Sequence, residues 1–223
     1  MHNIKVRKTL VRLGCVLDKK CFFALKSGRV AKKYINIDPL LTHPLYLHAI
    51  MNMMLGDHHD FEVIAGPAVG AIPLVYIGAE VVGHRHIYFN GSRKRLSGVR
   101  AVFAEKSGDD FVLERAGFAQ AVKGRRVIVV EDVTTTGESA LKTADAIRRA
   151  GGYVTRHAFI WNRDRRRVNE KTMGAPVSSL VTEGVRSWAP GEHPHWGEWP
   201  LVTDIGHPEN FPDYTGPRIT LLS

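Results

Sequence analysis

At 223 residues, 44% of them hydrophobic and 24% charged, the chain has the make-up of one globular domain with decorated ends, and extended disorder is excluded. Its 31 Lys and Arg against 22 Asp and Glu give a formal charge of +9, which favours a polyanionic partner, either nucleic acid or a phosphate-rich small molecule. No run approaches the roughly 18 consecutive apolar residues of a membrane span, and the opening residues lack a secretory pattern. Cys15 and Cys21, with no second pair, support neither a zinc site nor a disulfide framework, so a cytoplasmic protein with reduced thiols is expected.

In chain order, basic residues cluster at Lys5 to Arg12, Lys19–Lys20, Lys32–Lys33, Arg93 to Arg95 and Arg163 to Arg167. They are spread along the chain and do not form a single tail, and such runs often do no more than solvate a face. FEVIAGPAVGAIPLVYIGAEVV begins with an apolar strand, Phe61 to Ala65, breaks at Gly66–Pro67 and continues as a buried helix. RRVIVVEDV, Arg125 to Val133, is a β-branched run meeting acids at its end, as a buried parallel strand does on leaving a sheet. After the polar TTTGES, Leu141, Ala144 and Ile147 recur at helical spacing, widened by Ala140 and ended by Gly151–Gly152. YVTRHAFIWNR, Tyr153 to Arg163, reads as the next strand. This alternation predicts an α/β fold with a mostly parallel sheet flanked by helices, the loops after Ala65, Val130 and Ile160 sharing the carboxyl edge where such sheets bind ligands. From about Val185 onward, six prolines interleave with Trp188, Trp196 and Trp199, which predicts an irregular tail packed on the body or a partner subunit. Its histidines, His193, His195 and His207, lack acids or cysteines at metal spacing and read as ordinary loop residues.

The most informative string is VIVVEDVTTTGES, residues 127 to 139. A loop between a strand and a helix N-terminus offers backbone N–H groups and the positive end of the helix dipole, and Thr134, Thr135, Thr136 and Ser139 add hydroxyls. A phosphomonoester fits there, with Gly137 allowing close backbone approach. Glu131 and Asp132 would repel that phosphate unless a sugar or a cation stood between, and vicinal ribose hydroxyls are suitable donors. Read alone, the loop is equally a helix cap beside surface acids. It is neither a Walker loop nor a GxGxxG turn.

EDVTTTGES resembles the phosphoribosyl pyrophosphate (PRPP) motif of type I phosphoribosyltransferases, and further strings resemble orotate phosphoribosyltransferases in the family's order. FFALKSGRVAKKYINID, Phe22 to Asp38, is similar to the segment that closes over the base. There Lys26 matches a PRPP-contacting lysine, and Tyr34 and Ile35 fall at the aromatic pair beside orotate, Ile35 being a departure. GPAVGAIPL is similar to the pyrophosphate-lining turn, which carries Val69 and Gly70 over as backbone contacts. RAVFAEKSGDDFVLERAGF is similar to the segment holding the flexible catalytic loop, with Lys106 at one of its lysines but Glu105, Asp109 and Phe111 where other cations are common. Arg163 matches the arginine that pairs with orotate's carboxylate.

The resemblance implies a type I phosphoribosyltransferase domain over 1–184, including an N-terminal hood over 1–45, and a C-terminal extension over 185–223. It implies an orotate phosphoribosyltransferase of pyrimidine synthesis, with Mg2+ held mainly through PRPP and no dedicated protein metal site. The implied PRPP site comprises Lys26, Val69, Gly70, Lys106, Glu131, Asp132, Val133, Thr134, Thr135, Thr136, Gly137, Glu138 and Ser139. Tyr34, Ile35, Thr135 and Arg163 are implied for orotate, and Asp132, Glu131, Lys106 and Lys26 for catalysis. A homodimer is implied, with no membrane or nucleic-acid partner. A phosphoribosyltransferase for a purine or another pyrimidine, and a non-catalytic PRPP-binding regulator, remain open alternatives.

Overall fold

The computed structural model describes residues 2–25, 27–56, 58, 60–89 and 98–221. Its elements are α1 (His2–Arg12), β1 (Val16–Ala24), β2 (Val30–Ile35), α2 (Asp38–Leu41), α3 (Pro44–Leu55), β3 (Val63–Pro67), α4 (Ile72–Phe89), β4 (Arg100–Ser107), β5 (Asp110–Val112), α5 (Phe118–Val122) and β6 (Arg126–Thr134). There follow α6 (Glu138–Arg149), β7 (Tyr153–Asn162), α7 (Glu170–Met173), β8 (Val177–Thr182), β9 (Ser187–Trp188), β10 (Leu201–Gly206) and β11 (Arg218–Ile219). They form two compact units, Met1–Thr9 with Ile37–Glu183, and Leu10–Asn36 with Gly184–Ser223.

The first unit is built on a six-stranded sheet of order β5-β4-β3-β6-β7-β8, parallel except for the β4–β5 pair at its edge. β6 lies near the middle because its Val and Ile side chains bury on both faces, from Val127 to Val130 without exposure. α6 covers one face through Ala140, Ala144 and Ile147, which join Val127, Val129 and Phe159 in one apolar cluster. Gly66 permits the closest approach in the sheet, since a Cβ there would stand 2.6 Å from the Val130 carbonyl oxygen and 2.6 Å from Ala71 Cβ. The parallel register puts the ends of β3, β6 and β7 on one edge, as the alternating pattern predicts.

The second unit is a five-stranded sheet of order β11-β10-β1-β2-β9. The tail is therefore more regular than its proline content suggests. Leu201–Gly206 carries no proline, lies between Pro200 and Pro208, and pairs in parallel with both β1 and β11. The expected cover for the tryptophans is present in this unit, where Trp188, Trp196 and Trp199 pack on Phe22, Ala24, Val30, Leu201, Phe211 and Tyr214.

Candidate active site

The candidate site is built where β6 runs out into α6. Thr134 is buried and its hydroxyl oxygen accepts from the Gly137 N–H at 3.1 Å, which folds the chain back over the strand end. Gly137 sits at φ +78, a conformation side chains resist, and its missing Cβ leaves room for Met173 Sδ, which would stand 2.6 Å from that atom. The Thr136 hydroxyl accepts from the Glu138 N–H at 3.4 Å, and Glu138 is also tied to Lys142 at 2.7 Å. Among the described residues the N–H groups of Thr135, Thr136 and Ser139 have no acceptor. Three free donors at the positive end of a 12-residue helix make an anion seat.

The two acids differ in setting. Glu131 is 9% exposed and one of its carboxylate oxygens has no donor. Burial first, and then the neighbouring Asp132, pushes its carboxyl up to about 8, against the hydroxyl of Ser139, which favours the ionised form. Burial also raises Asp132; backbone N–H donation opposes this, Asp38 adds to it and Arg163 counters it. A Cβ on Gly70 would stand 3.7 Å from both Asp132 carboxylate oxygens, so the turn after β3 and the acid at the end of β6 are neighbours. The Ala68–Val69 peptide in that turn is cis, and Val69 is 79% exposed. Arg163 follows β7 directly, and its N–H donates to the Thr134 carbonyl at 2.8 Å. One sheet edge thus assembles a donor-rich loop, two acids, a glycine turn and a guanidinium.

A family model described as the phosphoribosyl transferase domain matches residues 36–184. The orotate phosphoribosyltransferase of Methanothermobacter thermautotrophicus is 36% identical over 181 residues, covering 80% of this chain and 92% of that one. The chain belongs to the phosphoribosyltransferase family, with the orotate phosphoribosyltransferases. A second such relative, from Pelotomaculum thermopropionicum, is 34% identical over 176 residues, covering 77% of this chain and 81% of its own. Two solved structures share the fold. The Aeropyrum pernix orotate phosphoribosyltransferase has TM-score 0.60 at 23% identity, over 79% of this chain and 93% of that one. The Mycobacterium tuberculosis H37Rv orotate phosphoribosyltransferase in complex with PRPP has TM-score 0.55 at 23% identity, over 82% of this chain and 96% of that one.

In this phosphoribosyltransferase the residues expected at the phosphate loop and acidic pair come together, with Val133 completing the strand between them. The segment expected to hold a flexible catalytic loop forms a tight hairpin. Gly108 at φ +59 and Asp109 form the turn between Ser107 and Asp110, with Lys106 paired to Phe111 across the strands. Glu105 bonds Arg115 at 2.8 Å and Asp110 bonds Arg149 at 3.0 Å, which ties both strands down. Lys106 itself is exposed, one residue before the end of β4. Tyr34 and Ile35 lie on β2 of the second unit, where Ile35 is buried and the Tyr34 ring stacks on Phe23 with centroids 5.5 Å apart. Lys26, like the basic run Arg93 to Arg95, lies outside the described residues. Asp38, close enough to influence Asp132, was given no role from sequence, although it ends the string that carries Lys26 and Tyr34. A lone acid at a helix start gives no sequence signal of its own.

Proposed function

We propose that this enzyme transfers the 5-phosphoribosyl group from PRPP to orotate, giving orotidine 5′-monophosphate and pyrophosphate. The observation that carries the proposal is the Glu131–Asp132 pair, Glu131 buried and Asp132 half-buried, directly before a loop with three unclaimed N–H donors. In this reading the loop holds the 5-phosphate through the N–H groups of Thr135, Thr136 and Ser139, with Gly137 shaping the turn, and the acids accept from the ribose hydroxyls. Negative charge at Asp132 then faces the developing positive charge of the sugar as its bond to pyrophosphate breaks and the bond to the base nitrogen forms, while Glu131, its carboxyl raised to about 8, serves the ribose by hydrogen bonding. The turn at Val69 and Gly70 lines the departing pyrophosphate, and Lys26 and Lys106 supply positive charge to it. Arg163 forks onto the orotate carboxylate, a geometry lysine cannot copy, with Thr135 beside the ring.

A divalent cation suits this donor set. Among the described residues no group of three or more His, Cys, Asp or Glu could hold a metal ion, so Mg2+ would ride on the substrate's pyrophosphate and water, with the donor-free oxygen of Glu131 and the Asp132 carboxylate as nearby acidic ligands. Bound so, it would neutralise charge on the leaving group. The enzyme is read as cytoplasmic, where free thiols such as Cys15 and Cys21 stay reduced; no described helix is long and apolar enough to cross a membrane. Leu45 at 86% and Tyr76 at 50% exposure, on packed α3 and α4, support a homodimer that covers them.

The test incubates the protein with PRPP, Mg2+ and a panel of bases, following orotate loss and pyrophosphate release. Turnover of orotate above adenine, guanine and uracil is expected, and PRPP consumption with another base would overturn the assignment. The tight hairpin with one exposed lysine favours a second reading, a PRPP-binding regulator without turnover. PRPP binding with no base consumed would select it.

A further inference from the structure

The second unit holds a cavity of its own, about 450 Å³ in volume, a size typical of small-molecule sites. Three cations line it, Lys32, Lys33 and Arg186, against one carboxylate, Asp18. That acid stands 3.6 Å from Lys33 Nζ and 4.0 Å from Lys32 Nζ, so it offsets one positive charge and leaves an excess of two. Trp188 and Trp199 form apolar wall, which lowers the local dielectric and strengthens any charge pairing made there. His193, also in the lining, is 8% exposed. Its Nδ1 accepts from the His195 N–H at 3.1 Å, which puts the proton of the neutral ring on Nε2. The cavity therefore combines two surplus cations, a near-buried N–H donor and aromatic wall, and none of these side chains serves the site on the first unit.

We propose that this cavity is a binding site for a phosphomonoester dianion. The surplus of two charges matches the roughly two negative charges of such a group at neutral pH, and a guanidinium with two ammonium groups supplies the donors it needs. The dianion could arrive as free phosphate, as a sugar phosphate or as a nucleotide. The site stands independently of the proposed transfer reaction.

Calorimetry on the full chain with inorganic phosphate, ribose 5-phosphate, uridine 5′-monophosphate and uncharged uridine distinguishes these sources. Lys32 and Arg186 are surface side chains, so Lys32→Ala/Arg186→Ala should keep the wild-type melting temperature. Wild-type protein should bind two equivalents of at least one phosphate-bearing ligand per chain, and the double variant one, or bind there at least tenfold more weakly. The Arg186→Gln single variant should give an intermediate loss, and uridine should not bind the cavity. One equivalent in both proteins would overturn the proposal while leaving the catalytic reading standing. One equivalent that disappears in the double variant would support it and count against the phosphate loop on the first unit. Uridine binding that is lost in the double variant would overturn it.

Discussion

Replacing Gly137 by alanine tests how the phosphate loop is held. Two separable costs follow from its surroundings. The residue sits at φ +78, and placing an L side chain in the left-handed region costs roughly 1–2 kcal/mol. The added methyl would also stand 2.6 Å from Met173 Sδ and 3.2 Å from its Cε, and overpacking of this kind typically costs about 1–3 kcal/mol. Gly174 provides the control, because it has φ +65 but nothing within 4 Å of its would-be Cβ, so Gly174→Ala should show the first cost alone. Urea unfolding should therefore place Gly137→Ala about 2–4 kcal/mol below wild type and at least about 1 kcal/mol below Gly174→Ala. A double-mutant cycle with Met173→Ala should return a favourable coupling of about 1 kcal/mol or more, since the smaller side chain relieves the contact. PRPP affinity should fall in Gly137→Ala and hold in Gly174→Ala. Equal stability of the two alanine variants, or no coupling to Met173, would refute the argument that packing as well as φ demands glycine.

Arg163→Ala should raise the KM for orotate by on the order of 100-fold, the value of a lost charged fork, with PRPP binding changed only a few-fold in calorimetry. Glu131 carries a folded-state pKa near 8 against an ordinary 4.5, so ionising it costs folding stability progressively as pH rises from about 4.5 to 8. Glu131→Gln should thus raise the unfolding free energy, by roughly 2.5 kcal/mol more at pH 9 than at pH 6, while turnover falls steeply. An equal gain at both pH values would show that the carboxyl is not raised. His157 shows no exposure, and burial, then the charge of Arg148, lowers its pKa from 6.5 to about 4. The unfolded chain takes up a proton below about 6.5 that the folded chain resists until about 4, so stability should fall by roughly 3 kcal/mol across that window on acidification. Urea unfolding of His157→Phe at pH 7, 5 and 4 should show a flatter profile than wild type.

The central part of the fold was legible because its signals are local. The Val and Ile run of β6, the Thr/Gly loop and the helical spacing of Leu141, Ala144 and Ile147 each declare themselves within a dozen residues, and together they locate the acidic pair and the anion seat. The register that sets Gly70 against Asp132 depends on β3 lying beside β6, a pairing across some 60 positions that alternation implies only in outline. The second unit was the least legible part. Its sheet joins Phe22 to Leu201, and proline density concealed a proline-free strand between Pro200 and Pro208. The hairpin at Ser107 to Asp110 was obscured for a different reason. Resemblance pointed to a flexible catalytic loop, whereas the Ser-Gly-Asp-Asp string is itself a tight-turn signal.

Pairing between β1 and β10 also has a consequence for synthesis. Phe22 leaves the ribosome long before Leu201 exists, yet the two share a sheet with β11 beyond them. The sheet of the first unit can close once β8 has emerged, whereas β1 and β2 must wait, with Cys21, Phe22 and Phe23 uncovered, for a strand made nearly 180 residues later. A nascent chain stalled shortly after Thr182 should therefore engage chaperones through its beginning rather than its end.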